Sequence, residues 1–152
     1  MPMRPQPTLV MHFTHIEHLA TIITDGLLRD TVARGGLLKR EAGNPGIKAD
    51  RRKRKVPIHP FGHVGDYVPF YFAARSPTMS AISHGRVPEF GRDVTGLMYL
   101  VTTTQDLVAA GLTVLCTDRN ARLDLAEFRP EADCDDLVDW DLMRQKYWNN
   151  TD

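Results

Sequence analysis

Apolar residues occur in short runs along the chain, and the polar residues between these runs predict where elements begin and end. The first run, Thr8 to Phe13, predicts a buried strand. Thr14 and Glu17 follow at the spacing of a capping box, which predicts a helix that begins after Thr14 and that Gly26 ends. One face of this helix carries apolar residues at i, i+3, i+4 and i+7, namely Ile16, Leu19, Ala20 and Ile23.

The middle of the chain predicts a strand followed by a short helix. Residues 66–74, with the sequence DYVPFYFAA, are typical of a central strand. Pro69 within this run favours an edge position or a bulge, because proline cannot donate a backbone hydrogen bond. Ser76 is a good N-cap and is followed by Pro77, so a helix is predicted from Pro77 to His84.

The second half of the chain predicts two further strands and two helices. The strands cover residues 96–103 and 112–118, and between them a helix from Thr104 to Ala110 ends at Gly111. Asp136 is predicted to cap a last helix. The inward face of that helix carries Leu137, Trp140, Met143 and Tyr147.

A long segment, residues 34–60, has no hydrophobic period and carries seven glycines and prolines. It predicts a long loop with at most one helical turn, and loops of this length in a compact domain are often functional. Lys39 to Lys55 holds eight basic and two acidic residues, whereas Glu127 to Asp152 holds eight acidic and three basic residues. The zero net charge of the chain therefore hides an uneven distribution of charge.

Length and composition indicate the class of protein. A chain of 152 residues with 42% hydrophobic residues is typical of one globular domain. The amino-terminal residues lack the apolar centre of a secretory signal, and no apolar run is long enough to span a bilayer. We therefore expect a cytoplasmic protein that has no membrane segment. Cys116 and Cys134 are expected to be reduced, partly buried thiols.

Three histidines at a spacing of three, His12, His15 and His18, raise the question of a metal site. The first would end a strand and the other two would lie on the first helical turns, but no cysteine or carboxylate cluster completes a ligand set, so no metal is expected. The sequence also lacks a nucleophile elbow, a glycine-rich dinucleotide motif and a phosphate-binding lysine loop. His15 and His18 are expected on the helix surface or behind the site.

The junction between the first strand and its helix leaves two interpretations open. His12 and the free N–H groups at the helix start could hold an anion or a ribose hydroxyl. Alternatively, Thr14 is only a helix cap and His12 a satisfied core residue. The run Arg51 to Lys55 is open in the same way, because five consecutive cations indicate either a solvated loop or a negatively charged ligand. Nearby aromatic residues could stack on unstacked bases: Phe61, Tyr67, Phe70, Tyr71 and Phe72.

Several segments in this order resemble the DarT family of bacterial DNA ADP-ribosyltransferase toxins. They are MHFTHIEHLATIITDGLL, IKADRRKRKVP, GDYVPFYFAARSPTMSAI, AGLTVLCTDRNA and the dipeptide YW near the end. The resemblance implies an α+β, ADP-ribosyltransferase-like fold, with two small, mostly antiparallel sheets around an NAD cleft and peripheral helices. It implies transfer of ADP-ribose from NAD, which is a substrate, to a base of single-stranded DNA. It also implies a macrodomain antitoxin as partner, and we expect a monomer.

The resemblance also assigns roles to individual residues. Arg51 matches the catalytic arginine, and the segment from about Gly35 to Arg54 matches the element that folds over NAD. Residues 114 onward match the side that presents DNA. The expected NAD-binding residues are His12, Phe13, Thr14, Thr21, Leu28, Arg51 and Tyr71. The expected DNA-binding residues are Arg52, Arg54, Arg75 and Arg119.

One departure from the family pattern concerns catalysis. Family members continue past the YW dipeptide into an element with a glutamate that holds the ribose hydroxyl, and this chain stops at Asp152 without a replacement. We therefore expect one truncated ADP-ribosyltransferase domain over residues 1–152, which alone transfers ADP-ribose poorly or not at all. Two alternatives are a non-catalytic remnant that binds NAD or nucleic acid, and an RNA 2′-phosphotransferase-like enzyme.

Overall fold

The computed structural model describes residues 3–29, 45–74 and 95–145. The predicted helix over 77–84, residues 34–44 of the predicted loop, Arg75 and Tyr147 lie outside the described residues. The strands are Leu9–His15 (β1), Leu97–Thr103 (β2), Leu115–Thr117 (β3) and Phe128–Pro130 (β4). The helices are Leu19–Asp25 (α1), Pro45–Lys53 (α2), Thr104–Ala109 (α3) and Trp140–Arg144 (α4). Within the described ranges, no helix combines the length and the apolar character needed to cross a membrane.

The strands form two small antiparallel sheets, as predicted. In the first sheet β1 pairs with β2, so that Leu9 lies opposite Thr103. In the second sheet β3 pairs with β4. The predicted central strand over residues 66–74 is wrong. Only Tyr71 joins the sheet, through two backbone hydrogen bonds of 2.9 and 2.7 Å with Met11 of β1. A 3₁₀ turn takes up the start of this segment and Pro69 lacks a donor, so a continuous ladder does not form.

The junction after β1 differs from the predicted capping box. β1 continues through Thr14 and His15, and a 3₁₀ turn, Ile16–His18, precedes α1. His15 is the cap, because its Nδ1 accepts a hydrogen bond of 3.1 Å from the Glu17 backbone N–H. Thr14 instead shares a hydrogen bond of 2.7 Å with the ring of His18. Both histidines are buried, so they do not lie on the helix surface, and the alternative position behind the site stays a prediction.

This later helix start changes which helical face is buried. Each residue advances the helix by about 100°, so a shift of one position turns a predicted inner face toward the solvent. Ile16 is 48% exposed and Ile23 is 76% exposed, although both were predicted to face inward.

The predicted loop over residues 34–60 contains a helix of nine residues, α2. Its lysines, arginines and alanine are favourable helix formers, which the glycines and prolines around them obscure in the sequence. The helix packs on the 3₁₀ turn Val64–Asp66, where Gly65 is buried beneath Arg52. A Cβ on Gly65 would lie 3.1 Å from the Arg52 Cα, so a larger residue would push the helix away.

Trp140 of α4 is among the most deeply buried side chains of the described residues. Trp140 is only 2% exposed, and the Phe72 ring meets it edge-on with 5.1 Å between the centroids. Cys116 and Cys134 are free thiols, and both are buried. The predicted cap of the last helix is wrong, because Asp139, not Asp136, accepts the hydrogen bond of 2.9 Å from the Leu142 N–H.

Candidate functional site

His12 lies at the centre of β1 and faces the segment that follows α2. Its Nδ1 lies 2.7 Å from the backbone oxygen of Pro69. A carbonyl oxygen can only accept, so Nδ1 carries the proton and Nε2 of the neutral ring is an acceptor. The Phe70 ring packs beside His12, with 5.7 Å between the ring centroids. The imidazole is therefore fixed in orientation and in tautomer.

Helix α2 brings two cations toward His12. Burial lowers the pKa of His12, and the positive charges of Lys48 and Arg51 lower it further, against the bond to Pro69 that raises it. Lys48 and Arg51 are three residues apart on α2 and therefore share a face. The imidazole is therefore neutral at neutral pH, and the two positive charges that α2 contributes on this side favour an anionic ligand.

The lowered pKa of His12 predicts a pH dependence of stability. The unfolded chain, with a histidine pKa of about 6.5, binds this proton before the folded chain does. The free energy of unfolding should therefore fall as the pH decreases below about 6.5. The total loss is about 1.4 kcal/mol for each pH unit by which the pKa of His12 in the folded chain lies below its pKa in the unfolded chain. Urea unfolding at pH 7.5 and 5.5 should show a smaller loss for His12→Gln than for the wild type, and equal losses would contradict this.

Arg51 is anchored to the turn beneath the helix. One terminal nitrogen of its guanidinium donates to the backbone oxygens of Val64 and Tyr67, each over 3.4 Å. Both carbonyls belong to the chain that leads from α2 to Pro69, which holds the His12 ring. The positions of Arg51 and His12 are therefore set by the same stretch of backbone.

The other residues predicted to bind NAD lie on β1, on α1 and in the segment around Tyr71. Thr14 shares the His12 face, because side chains alternate along a strand. Phe13 lies on the opposite face and stacks on Tyr71, with 5.6 Å between the centroids and 26° between the rings. Thr21 lies on α1 and Leu28 beyond its end, both half-buried. The structure thus places His12 and Thr14 on one face of β1 and the stacked rings of Phe13 and Tyr71 on the other.

The residues predicted to bind DNA have different surroundings. Arg52 packs over Gly65, and Arg119 is exposed and pairs with Asp118 at 2.7 Å. Arg54 lies over the Phe128 ring, 5.9 Å from its centroid, and donates to the Asp124 backbone oxygen over 3.1 Å. Arg54 and Arg119 are thus both joined to the segment that follows β3.

Sequence reasoning missed Lys48 and identified Phe70 only as a possible stacking residue. Lys48 precedes Arg51 by three residues, a signal that has meaning only once a helix is recognised there. Phe70 precedes Tyr71, which was predicted to bind NAD. Strand alternation separates the two rings, because Tyr71 pairs with Met11 and so shares the face of Met11 and Phe13, whereas Phe70 packs beside His12.

A hollow of about 500 Å³ lies elsewhere, between residues 135 and 145. Four aspartates line it: Asp135, Asp136, Asp139 and Asp141. Their charges repel phosphate groups, so this hollow is a poor site for a nucleotide. Across the described ranges, no three histidine, cysteine or carboxylate side chains converge as a metal site would require.

Comparison with known proteins identifies the family. Residues 11–152 match the family described as "ssDNA thymidine ADP-ribosyltransferase, DarT". The chain belongs to the DarT family. A DNA ADP-ribosyl transferase of Thermus aquaticus is 33% identical over 154 aligned positions, which cover 96% of this chain. One from Mycobacterium tuberculosis is 35% identical and covers 98% of this chain.

Solved structures of a DarT from Thermus sp. 2.9 share the fold. With the complex that contains ADP-ribosylated single-stranded DNA, the TM-score is 0.88 at 33% identity, over 98% of this chain and 70% of that one. With the NAD⁺ complex, the TM-score is 0.82 over 96% of this chain and 69% of that one. These matches confirm the ADP-ribosyltransferase fold that the resemblance implied. The chain spans 65% of the length of the Thermus aquaticus relative.

Proposed function

We propose that this protein binds NAD as a substrate and transfers its ADP-ribose to thymidine in single-stranded DNA, with release of nicotinamide. The observation that carries the proposal is that one stretch of backbone fixes both groups: the Pro69 oxygen holds the His12 ring at 2.7 Å, and the Val64 and Tyr67 oxygens anchor the Arg51 guanidinium. NAD offers a pyrophosphate for the charge of Arg51 and an amide for the imidazole acceptor. The family description and the NAD⁺ and DNA complexes of the Thermus sp. 2.9 relative support the same reaction.

In this proposal the residues of the site hold NAD while the glycosidic bond breaks. Bond cleavage builds positive charge on the ribose carbon, so the enzyme must fix the sugar and aim the acceptor. The guanidinium of Arg51 stays protonated and therefore orients a phosphate or a base instead of removing a proton. His12 and Thr14 hold the nicotinamide side, and Thr21 and Leu28 complete the pocket. Phe13 and Tyr71, whose rings stack on the opposite face of β1, support this strand from behind.

We propose that DNA lies along the segment that follows β3. Arg54 and Arg119 border this segment, and Arg52 and Arg75 contribute further positive charge to phosphate binding. A base must leave the stack to be modified, which agrees with a single-stranded substrate and an aromatic surface. Phe61, which is 55% exposed, offers such a surface.

The biological setting is part of the same proposal. A modification of chromosomal DNA is toxic, so the protein acts as the toxin of a toxin–antitoxin pair in the cytoplasm, where DNA and NAD are both present. Its partner is a macrodomain antitoxin of the DarG kind that removes ADP-ribose. The protein acts as a monomer.

Mass spectrometry of an oligonucleotide tests the proposal directly. The protein is incubated for a long period with NAD and a single-stranded oligonucleotide that contains one thymidine, and with a matched oligonucleotide that contains none. Because residues 1–152 alone are expected to transfer ADP-ribose poorly, we expect only a small fraction of the first oligonucleotide, and none of the second, to gain the mass of one ADP-ribose in the presence of NAD. No product despite measurable binding of NAD and DNA would contradict transfer by this chain and leave a binding protein.

A further inference from the structure

Helix α2 has a second face, which contacts the loop formed by residues 118–127. The Arg54 guanidinium, just beyond the helix end, covers the Phe128 ring at 5.9 Å and donates to the Asp124 backbone oxygen over 3.1 Å. In the opposite direction, Arg122 of the 118–127 loop reaches back to Asp50 of α2 over 3.5 Å. The α2 segment thus contributes Arg54 to this contact, and the 118–127 loop contributes Arg122.

The periodicity of α2 separates this contact from the NAD side. Lys48, which acts on His12, and Asp50 are two residues apart and therefore lie on nearly opposite sides of the helix, whereas Arg54 is three residues from Arg51 and lies between these two sides. The backbone bond of 2.9 Å from the Arg54 N–H to the Asp50 oxygen continues the helix as far as this pair. One short helix therefore presents one face to His12 and another to the 118–127 loop.

The 118–127 loop is itself held as a unit. The Asp118 carboxylate accepts a hydrogen bond of 2.8 Å from the Glu127 N–H, which closes the base of the loop. Within it, the Asn120 side chain accepts from the Arg122 N–H over 3.2 Å. Ala126, which belongs to this loop, is itself buried. A displacement of α2 would therefore move the whole loop, or break the contacts with it.

We propose that Asp50, Arg54 and Phe128 are positioning residues that couple NAD binding on one face of α2 to DNA binding at the 118–127 loop. The inference rests on the proposed function, which assigns NAD to the first face and DNA to the loop. Asp50 is 57% exposed at its side chain, and an exposed ion pair of this kind adds little to stability. Its effect is to fix geometry, because bound NAD restricts α2 and a restricted α2 fixes the loop.

The coupling is measured as a ratio of DNA affinities. Fluorescence anisotropy gives the Kd for a labelled single-stranded oligonucleotide that contains thymidine, with and without saturating carba-NAD⁺. In the wild type we expect carba-NAD⁺ to tighten DNA binding about fivefold or more, the usual range of such couplings. Because the ratio compares one variant with itself, a direct change in DNA affinity cancels.

Two variants remove the contact in different ways. Asp50→Asn removes the charge that Arg122 meets, and Phe128→Leu removes the ring beneath Arg54 without changing any charge. Each should reduce the ratio to less than about twofold and leave the affinity for carba-NAD⁺, measured by calorimetry, within twofold of the wild type. Asp141→Asn, which breaks an exposed pair of 3.0 Å with Arg144 far along the chain, is the matched control and should keep the wild-type ratio.

A charge exchange separates positioning from simple damage to the fold. The double variant Asp50→Arg with Arg122→Asp restores an opposite-charge pair and should recover at least half of the wild-type ratio on a logarithmic scale. An unchanged ratio in Asp50→Asn and Phe128→Leu, or a wild type that binds both ligands without coupling, would overturn the inference alone. A wild type that binds neither ligand would overturn the proposed function and the inference together.

Discussion

Replacing Arg51 with alanine should reduce the affinity for NAD by about tenfold or more and abolish NAD-dependent modification of DNA. A charge-assisted hydrogen bond to a phosphate contributes about 1.5–3 kcal/mol, and its loss gives this change in affinity. The variant also loses the bonds from Arg51 to the Val64 and Tyr67 oxygens, so the backbone next to His12 is less well fixed. Calorimetric titration of carba-NAD⁺ measures the binding effect independently of turnover.

Lys53→Ala is the matched control for this prediction. Lys53 is exposed on the same helix, and its removal changes the net charge of the chain by the same amount. Its effect on the affinity for carba-NAD⁺ should be less than about threefold, because an exposed charge is screened by salt. If the protein is a toxin as proposed, expression of the wild type should slow bacterial growth and expression of Arg51→Ala should not. An Arg51→Ala protein that binds NAD normally and still labels DNA would refute the role given to this arginine.

Replacing Gly65 with alanine should displace α2 and weaken NAD binding without touching a charged group. A Cβ at this position would lie 3.0 Å from the Arg52 Cγ and 3.1 Å from its Cα, so helix backbone must move. Overpacking of this kind costs about 1–3 kcal/mol of stability. A displacement of the Lys48 and Arg51 charges relative to His12 should reduce the affinity for carba-NAD⁺ by about tenfold.

Gly111→Ala separates the loss of affinity from the loss of stability. Gly111 has a φ of +82°, and a Cβ there would meet nothing within 4 Å. The strain costs roughly 1–2 kcal/mol, similar to the expected cost at Gly65, but it arises at the end of α3. Urea unfolding and calorimetry of both variants should show comparable destabilisation and weaker NAD binding in Gly65→Ala alone. Equal affinities in the two variants would contradict the proposed position of α2.

The fold was predictable where the local pattern and the tertiary packing agree. Strand β2 and helix α3 follow from an apolar run and from a helix that Gly111 ends, and both are present. The class, with two small antiparallel sheets, was also correct. Helix α2 was missed because its stability comes from packing on the turn around Gly65, which no local signal among the surrounding glycines and prolines reveals.

Registers were less predictable than elements. Thr14 and Glu17 have the spacing of a capping box, but the pairing of Thr14 with Met98 extends β1 and moves the cap to His15. A strand ladder therefore overrode a local capping preference. The same change buried His15 and His18, which a helix beginning at Thr14 would have exposed.

The site depended on resemblance more than on residue patterns. From the residues alone, His12 remained either a ligand-binding or a core residue, and Arg51 was one of five cations in a row. The structure adds what the pattern lacked, namely that the backbone between α2 and Pro69 fixes both the Arg51 guanidinium and the His12 ring. Arg54 bonds to Asp124, which is 70 positions away in the sequence, and Arg122 bonds to Asp50, which is 72 positions away. Local sequence patterns do not contain contacts over such separations.

A crystal structure of this protein with carba-NAD⁺ tests the central claim most directly. The account predicts the pyrophosphate within hydrogen-bond distance of Arg51 or Lys48, and the nicotinamide end against His12 and Thr14. A dinucleotide bound elsewhere, for example in the acidic hollow between residues 135 and 145, or a bound dinucleotide that neither α2 nor β1 contacts, would contradict it.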